Sequence, residues 1–257
     1  MPWTSKNSLY PCGKPAILKK SVTPKAQLYR RFGKQALPPL TQGRESKWKG
    51  APMKRIYITA IPLDTNFAIT PYAAKAANYQ QTYNQPTCYP IVPVLADTAR
   101  RGDEIEVIAV RQKNNPHSGN FDTFLRELDA LGVPYTLKDI TTPETQQRDT
   151  LLTQFEALTD AMEGDACYYA DATFGTKTYP LVLSSALHYA EKILDDAEVC
   201  GIYYRELTRE NGAVRDVRQY DISTLFTLDN IIDRAAAADM PDKKRFIRLM
   251  LHPDREV

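Results

Sequence analysis

The residues of this sequence best suited to chemistry lie in one short run, Asp-Ala-Thr-Phe-Gly-Thr-Lys, at positions 171–177. The run supplies a carboxylate, two hydroxyls, a glycine and an ammonium group, from Asp171, Thr173, Thr176, Gly175 and Lys177. Glycine lets a backbone approach a ligand closely, and free amides at the start of a helix attract phosphate. A lysine adds a mobile positive charge. The run therefore favours a ligand that carries phosphate over an apolar one.

Each of these side chains also has an ordinary structural role open to it. Asp171 can accept a hydrogen bond from its own turn, and Thr176 and Thr178 can cap the helix that is predicted to follow. Lys177 can simply remain solvated. The residue types alone leave the functional and the structural interpretations open.

A second polar loop follows the first predicted strand, 55–61, which is apolar and β-branched. This loop contains Asp64, Thr65 and Asn66. In an open parallel sheet, ligands bind outside the carboxyl ends of the strands, where the chain turns into helices. If the strands that precede the two loops are neighbours, the loops meet at one edge of the sheet and form a single site.

The order of the predicted elements indicates how the two loops meet. Further strands are predicted at 104–111, 133–140, 165–171, 198–206 and 214–220, and helices at 89–101, 120–131, 143–163, 178–195, 225–238 and 242–251. This alternation predicts an α/β fold, a Rossmann-like three-layer sandwich with a mostly parallel sheet. The tight-turn sequence Asn211-Gly212 predicts an antiparallel hairpin at the edge of the sheet.

Several single residues carry predictions about where helices begin, end and pack. Asn120 and Thr142 are predicted to cap helices, with Pro143 in the first helical position after Thr142. Gly132 is predicted to end a helix as the residue after its C-cap. The buried face of the helix 178–195 is predicted from helical spacing to comprise Leu181, Val182, Ser185, Leu187, Tyr189, Ile193 and Leu194.

Charge is distributed unevenly along the chain. The 257 residues have a net charge of +2, but the first 50 hold 11 Lys and Arg residues against one acid, Glu45. The remainder is mildly acidic, which argues against binding of duplex nucleic acid. Residues 1–52, rich in proline and lysine, are predicted to be disordered or weakly ordered. Three interpretations are open for them: a basic arm that contacts nucleic acid, a tail packed on the body, or a segment missing from the native protein because translation starts at Met53.

The cysteines and the hydropathy bear on location and cofactors. None of the four cysteines stands in a Cys-x-x-Cys pair, so no zinc pattern is present. Cys167 and Cys200 fall in predicted buried strands and are expected to be reduced core residues. No apolar run reaches the ~18 residues of a membrane span, and no signal peptide is recognisable. We therefore predict a cytoplasmic protein with neither a metal nor another cofactor. No Gly-x-Gly-x-x-Gly follows the first strand, which argues against a dinucleotide-dependent dehydrogenase.

The spacing of Asp, Thr, Gly and Lys in the run 171–177, after an apolar strand, resembles the D-x-T-x-G-x-[R/K] signature of CARF domains, the CRISPR-associated Rossmann fold. The resemblance extends loosely over residues 53–220. Many members of that family have His where this chain has Phe174. The resulting prediction has three parts: an N-terminal extension at 1–52, a CARF-like domain at 53–222 and a short helical tail at 223–257.

The resemblance implies a homodimer that binds a cyclic oligoadenylate, most often the tetra-adenylate, across its two-fold axis. A symmetric dimer presents the same patch twice to a symmetric ring. The first ligand loop of the family is matched by Asp64, Thr65 and Asn66, and the second by Asp171, Thr173, Gly175, Thr176 and Lys177. Neither a membrane nor duplex nucleic acid is expected as a partner.

The resemblance leaves two functions open, with an unrelated Rossmann-like nucleotide binder as a third alternative. A ring nuclease would use a ribose 2′-hydroxyl to attack the adjacent 3′-phosphate without a metal, giving a 2′,3′-cyclic phosphate. Lys177 would stabilise the charge on the phosphate, and Thr65 or Thr176 would orient it. A sensor would bind the ring uncleaved and regulate a partner effector or transcription.

No histidine stands out as a general base for that cleavage. His117 lies in a loop near a strand end and is a candidate ligand contact, whereas His188 lies mid-helix and is expected to be structural. Arg245 and His252 have the spacing of the Arg-x4–6-His pair of HEPN ribonucleases, but the segment after the last strand is too short for that helical bundle. Cleavage without a base is expected to be slow.

Overall fold

The computed structural model describes four stretches of the chain: 52–62, 71–113, 118–143 and 145–252. Four residues with predicted or considered roles lie outside these stretches: Asp64, Thr65, Asn66 and His117. Residues 1–51 also lie outside them, so the three interpretations of the N-terminal extension stay open.

One seven-stranded sheet forms the centre of the described structure. Its strands are β1 (Lys54–Ala60), β2 (Lys75–Ala76), β3 (Glu104–Gln112), β4 (Thr136–Thr142), β5 (Ala166–Asp171), β6 (Glu198–Glu210) and β7 (Ala213–Asp221). Their order is β2-β7-β6-β5-β1-β3-β4. The five strands from β6 to β4 run parallel, whereas β7 is antiparallel to β6 and β2 adds a short parallel pairing to β7. The predicted α/β fold, with a mostly parallel sheet and an antiparallel hairpin, is confirmed.

Helices cover both faces of the sheet. In the described stretches they are α1 (Ile91–Thr98), α2 (Ser118–Asp129), α3 (Arg148–Ala161), α4 (Tyr179–Ile193), α5 (Ser223–Ala237) and α6 (Lys243–Leu251). On one face, α1 and α2 bury Leu95 and Phe124 against the sheet, and on the other, α3, α4 and α5 bury Leu158, Leu187 and Phe226. Each such side chain contributes about 1.5–3 kcal/mol by its burial. None of these helices is both long and apolar enough to cross a membrane.

The central strand β5 is buried along its whole length. Tyr168 and Ala170 pack towards α3 and α4, while Cys167 and Tyr169 pack towards α1 and α2. The ring of Tyr169 stacks on that of Tyr57 in β1, with 5.1 Å between ring centroids. Burial on both faces explains why this strand is a continuous apolar run rather than an alternating one.

Two turn predictions are confirmed by the backbone. Asn211 and Gly212, between β6 and β7, have φ angles of 51° and 81°. Positive φ at both central residues is the requirement of a tight type I′ hairpin turn. Gly132 likewise has φ of 65° just after α2, as expected for the residue that ends a helix.

The predicted cap at Asn120 is wrong, because α2 already begins at Ser118. Asn120 is buried inside the helix, and its amide donates a hydrogen bond of 3.1 Å to the carbonyl oxygen of Pro62. This bond fastens the end of β1 to α2. The polar side chain therefore satisfies a distant carbonyl group rather than the start of its own helix.

The predicted helix start at Thr142 and Pro143 is also wrong. Thr142 is the last residue of β4, which pairs in parallel with β3 up to Gln112, and α3 begins only at Arg148. The Thr142 hydroxyl donates to the carbonyl oxygen of Arg111 at 3.3 Å. Pairing with the neighbouring strand therefore outweighs the local capping signal.

The predicted buried face of α4 is partly wrong. Leu181 and Ile193 are 70% and 65% exposed, and Ser185 is exposed as well. Val182 and Leu187 are buried as predicted. The buried stripe, which faces α3 and the sheet, is completed by small and apolar residues at helical spacing: Leu183, Ala186 and Ala190.

Cys167 and Cys200 form a disulfide, which corrects the expectation that both are reduced core residues. They lie on the neighbouring strands β5 and β6, and their Cα atoms are 5.8 Å apart, within the usual range for a disulfide. Glu198 places a carboxylate oxygen within 4.8 Å of both sulfurs. A thiophilic cation would need both sulfurs as thiolates. In the disulfide neither sulfur is a thiolate, so the pair does not offer that ligand set.

We expect a non-reduced proteolytic digest of the purified protein to contain a peptide pair linked through Cys167 and Cys200. The reason is the adjacency of the two strands, which holds the cysteines at bonding distance. Mass spectrometry before and after reduction checks this, because the linked pair should be present only in the unreduced digest. Alkylation of Cys167 and Cys200 in the unreduced, denatured protein would contradict it.

Candidate ligand-binding site

The carboxyl ends of β1 and β5 lie at one edge of the sheet, because these two strands are parallel neighbours from Lys54↔Ala166 to Ile58↔Ala170. This confirms the adjacency on which the predicted site depends. The strand order also reverses here: β3 and β4 lie on one side of β1, and β5 and β6 on the other. Such a reversal is where open α/β sheets form their ligand crevices. The contacts predicted for Asp64, Thr65 and Asn66 stay predictions.

The carboxylate of Asp171, at the end of β5, is fully buried and bonds to the protein. Its Oδ2 accepts a hydrogen bond from the Thr59 hydroxyl at 2.9 Å, and its Oδ1 accepts one from the backbone N–H of Thr173 at 2.9 Å. Burial raises the pKa of Asp171 above its usual value. In this structure the side chain therefore fixes the start of the loop, as the structural interpretation proposed.

A buried polar network beneath the loop was missed by the sequence analysis. The Thr173 hydroxyl accepts a hydrogen bond of 2.8 Å from the backbone N–H of Arg205 in β6. The buried Arg205 guanidinium donates to the Thr87 carbonyl oxygen at 2.8 Å and to Gln219 Oε1 at 3.1 Å. Burial lowers the pKa of Arg205, partly offset by the charge of Asp171. The feature of the sequence that could have indicated this network was an arginine at the end of an apolar strand segment.

Gly175 occupies a position that only glycine fits without strain. Its φ is 99°, and a Cβ atom there would lie 3.0–3.1 Å from the side chain of Tyr179. Phe174, at the position where CARF domains often have His, is partly buried and packs against the core, with its ring 6.4 Å from that of Tyr89. The loop therefore directs Phe174 inwards and leaves Gly175 exposed at the surface.

The start of α4 offers unused hydrogen-bond donors. Thr178, the N-cap residue, makes no capping bond with its side chain; its hydroxyl instead donates to Gln146 Oε1. Within the four described stretches, the backbone N–H groups of Gly175, Thr176 and Lys177 donate to no acceptor. The Lys177 side chain is exposed and makes no ion pair there. Together these groups form a positive, donor-rich patch of the kind that binds phosphate.

A small pocket lies beside this patch, over the carboxyl ends of β1, β3 and β4. Gly175 and Thr176 belong to both the patch and the pocket wall. The rest of the wall is Ala60, Ile61, Val110, Arg111, Gln112, Thr142, Pro143, Gln146, Gln154 and Tyr179. The arrangement can hold a phosphate at the surface and a small polar group next to it.

His188 is placed away from any catalytic role. Its ring packs against that of Phe226, with 4.1 Å between centroids, and its Nδ1 lies 2.8 Å from the Ser184 carbonyl oxygen. The prediction that His188 is structural is confirmed.

No protein-family model matches this chain, and no curated protein matches it. The resemblance to CARF domains thus depends on the residues of the motif and on the position of that motif in the fold.

We expect Asp171→Asn to gain stability relative to the wild type as pH rises. The raised pKa means that the folded protein favours the protonated carboxyl, so the stability that Asp171 contributes is full below ~3.8 and is lost as pH rises through its folded-state pKa. Asparagine does not titrate. Urea unfolding of both proteins between pH 4 and 8 measures the difference.

Asp216→Asn is the matched control, because Arg218 lowers the pKa of that half-buried carboxyl. Its stability difference from the wild type should be nearly constant above pH ~5, where the carboxyl is ionised in both the folded and the unfolded protein. A pH-independent difference for Asp171→Asn would contradict the assignment of Asp171.

Proposed function

We propose that this chain is a CARF-like protein of type III CRISPR antiviral defence that binds a cyclic oligoadenylate, the tetra-adenylate, as a cytoplasmic homodimer. The observation that carries the proposal is the patch at the start of α4, where the amides of Gly175, Thr176 and Lys177, which donate to no acceptor among the described residues, adjoin the exposed Lys177 ammonium group. It lies at the reversal point of the strand order, beside the end of β1.

The residues of the motif divide into two roles. Gly175, Thr176 and Lys177 contact a phosphate of the ring, while Asp171 and Thr173 hold the loop in place through Thr59 and Arg205. From the other loop, Asp64, Thr65 and Asn66 complete the ligand contacts. Two copies of this arrangement in a dimer would grip a symmetric ring from both sides.

The exposed start of α4 supports a protein partner next to the site. Leu181, four positions after Lys177, is 70% exposed, and Leu225, at the start of α5, is 64% exposed. Large exposed apolar side chains near a functional edge are typical of interaction surfaces. A second copy of the chain is the partner that the two-fold symmetric ligand requires.

The finer proposal is that the protein cleaves the ring. The 2′-oxygen of a ribose bonds to the adjacent phosphorus and loses its proton to water, and the 5′-oxygen leaves and takes a proton from water. The product is a linear chain that ends in a 2′,3′-cyclic phosphate. Lys177 would stabilise the charge that develops on the phosphate oxygens, and Thr65 would orient the phosphate.

A sensor that binds without cleavage is the second candidate. It is favoured by the position of His188, which packs on Phe226 and leaves no imidazole at the described part of the site. Without a general base, any cleavage lacks the 10²–10⁴-fold acceleration that such a group typically supplies.

One incubation separates these functions. Purified protein is mixed with labelled cyclic tetra-adenylate in the presence of a chelator, and bound ring and linear product are followed over time. Binding with slow formation of a 2′,3′-cyclic phosphate supports the nuclease, and tight binding without product supports the sensor. Absence of binding to rings of any size would refute both.

A further inference from the structure

Tyr179, the first residue of α4, carries a buried hydroxyl that has no hydrogen-bond partner among the described residues. The residue is 1% exposed. Within the described stretches one other buried side-chain atom, Glu106 Oε1, lacks a hydrogen bond, but Lys138 lies 2.9 Å from it as an ion-pair partner. An unpaired buried hydroxyl is costly, and such a group in a native protein calls for an explanation.

The pocket that Tyr179 lines combines apolar and polar residues and carries little net charge. Tyr179 lines the pocket beside the phosphate patch, together with Gln112 and the buried Gln154. Arg111, which also lines it, is neutralised by Asp139 through bonds of 2.6–3.0 Å. A pocket of this kind suits an uncharged group that both donates and accepts hydrogen bonds.

The size of the pocket limits which chemical group can bind in it. The space inside this partly open pocket is about 20 Å³, enough for about one water-sized group. An intact nucleobase is too large for that space. A hydroxyl group fits it.

We propose that this pocket binds the ribose 2′-hydroxyl of the nucleotide whose 3′-phosphate lies on the amides of Gly175 and Thr176. The inference rests on the proposed function. In a ribonucleotide the 2′-hydroxyl is next to the 3′-phosphate, and Gly175 and Thr176 form part of both the patch and the pocket wall. The 2′-hydroxyl is also the group by which proteins distinguish RNA from DNA. The pocket would therefore select ribonucleotide rings.

The protonation state of Tyr179 suits this role. Burial, together with the charge of Asp171, raises the pKa of Tyr179. The hydroxyl therefore stays protonated and available as a donor at neutral pH. Gln154 supplies a carboxamide that can donate and accept from the same wall.

The test compares wild type and Tyr179→Phe on two probes, cyclic tetra-adenylate and its fully 2′-deoxy analogue. Because a dimer would place two of these pockets on one ring, the wild type should bind the ribose ring about 10–100-fold more tightly, the value of one hydrogen bond in each chain, and Tyr179→Phe should lose that preference. The melting temperature of Tyr179→Phe should be equal to or above that of the wild type, because an unpaired buried hydroxyl is removed. Tyr189→Phe, on the same helix and away from the pocket wall, should keep the preference.

The outcomes separate the two proposals. Equal binding of both rings by the wild type, or a preference retained in Tyr179→Phe, overturns the assignment of the pocket and leaves the proposed function intact. Failure of the wild type to bind either ring overturns both. A large drop in the melting temperature of Tyr179→Phe would show that the hydroxyl has a structural partner, which also overturns the assignment.

Discussion

Replacement of Lys177 by alanine is expected to weaken binding of cyclic tetra-adenylate by about 10²–10⁴-fold, because a charge-assisted hydrogen bond contributes about 1.5–3 kcal/mol and one is lost in each chain of the dimer. If the protein cleaves the ring, the rate of the bound complex should fall by about 10²–10³-fold, as when a donor to a developing oxyanion is removed. Calorimetry gives the affinity, and single-turnover assays give the rate. The fold should be unaffected, since Lys177 is exposed and unpaired within the described stretches.

Lys244→Ala is the matched control for this substitution. Lys244 is an exposed lysine on α6, distant in sequence from the patch. Its replacement by alanine changes the net charge by the same amount as Lys177→Ala. Its affinity for the ring should match that of the wild type at equal ionic strength. Full affinity in Lys177→Ala, or an equal loss in both variants, would show that the ammonium group of Lys177 does not contact the ring.

Gly175→Ala is expected to destabilise the fold by about 2–6 kcal/mol and to abolish detectable ring binding. Two costs combine: a non-glycine residue at a φ of 99°, about 1–3 kcal/mol, and crowding of the new methyl group, 3.0–3.1 Å from Tyr179, about 1–3 kcal/mol. The loop can relieve the contact only by moving its amides, which takes the phosphate donors out of position. Urea unfolding and calorimetry measure the two effects.

Gly212→Ala isolates the backbone cost. Gly212 has φ of 81°, but a Cβ atom there would meet nothing within 4 Å. This variant should lose about 1 kcal/mol of stability and keep its affinity for the ring. Equal losses of stability in Gly175→Ala and Gly212→Ala would mean that crowding against Tyr179 adds nothing to the cost of the Gly175 substitution.

The sheet, and the edge of the sheet where the candidate site lies, were predictable because both depend on local signals in the sequence. The apolar runs that became β1 and β5, each followed by polar loops, predicted parallel strands whose carboxyl ends share an edge. The Asn211-Gly212 turn fixed the hairpin for an equally local reason, the need for positive φ. The polarity of the run 171–177 singled out the loop that the structure places at the reversal of strand order.

Features that depend on distant partners were not predictable. Asn120 and Thr142 have the residue types of caps, yet each bonds to a carbonyl group more than 30 positions away in the sequence, Pro62 or Arg111. Cys167 and Cys200 lie 33 residues apart, and nothing in their spacing indicates the disulfide. In the sequence, Arg205 is simply a polar residue at the end of a strand. Only the fold brings Thr87 and Gln219 to its guanidinium group. In each case tertiary contacts, which a single sequence does not reveal, decide the role.

Isothermal titration of the purified protein with cyclic tetra-adenylate tests the central claim most directly. A ring gripped between two copies of the patch at Gly175, Thr176 and Lys177 should saturate at one ring per two chains, and its affinity should fall with rising salt concentration, as expected for phosphate contacts. Absence of binding heat with cyclic oligoadenylates of any size would contradict the claim, as would saturation at one ring per chain.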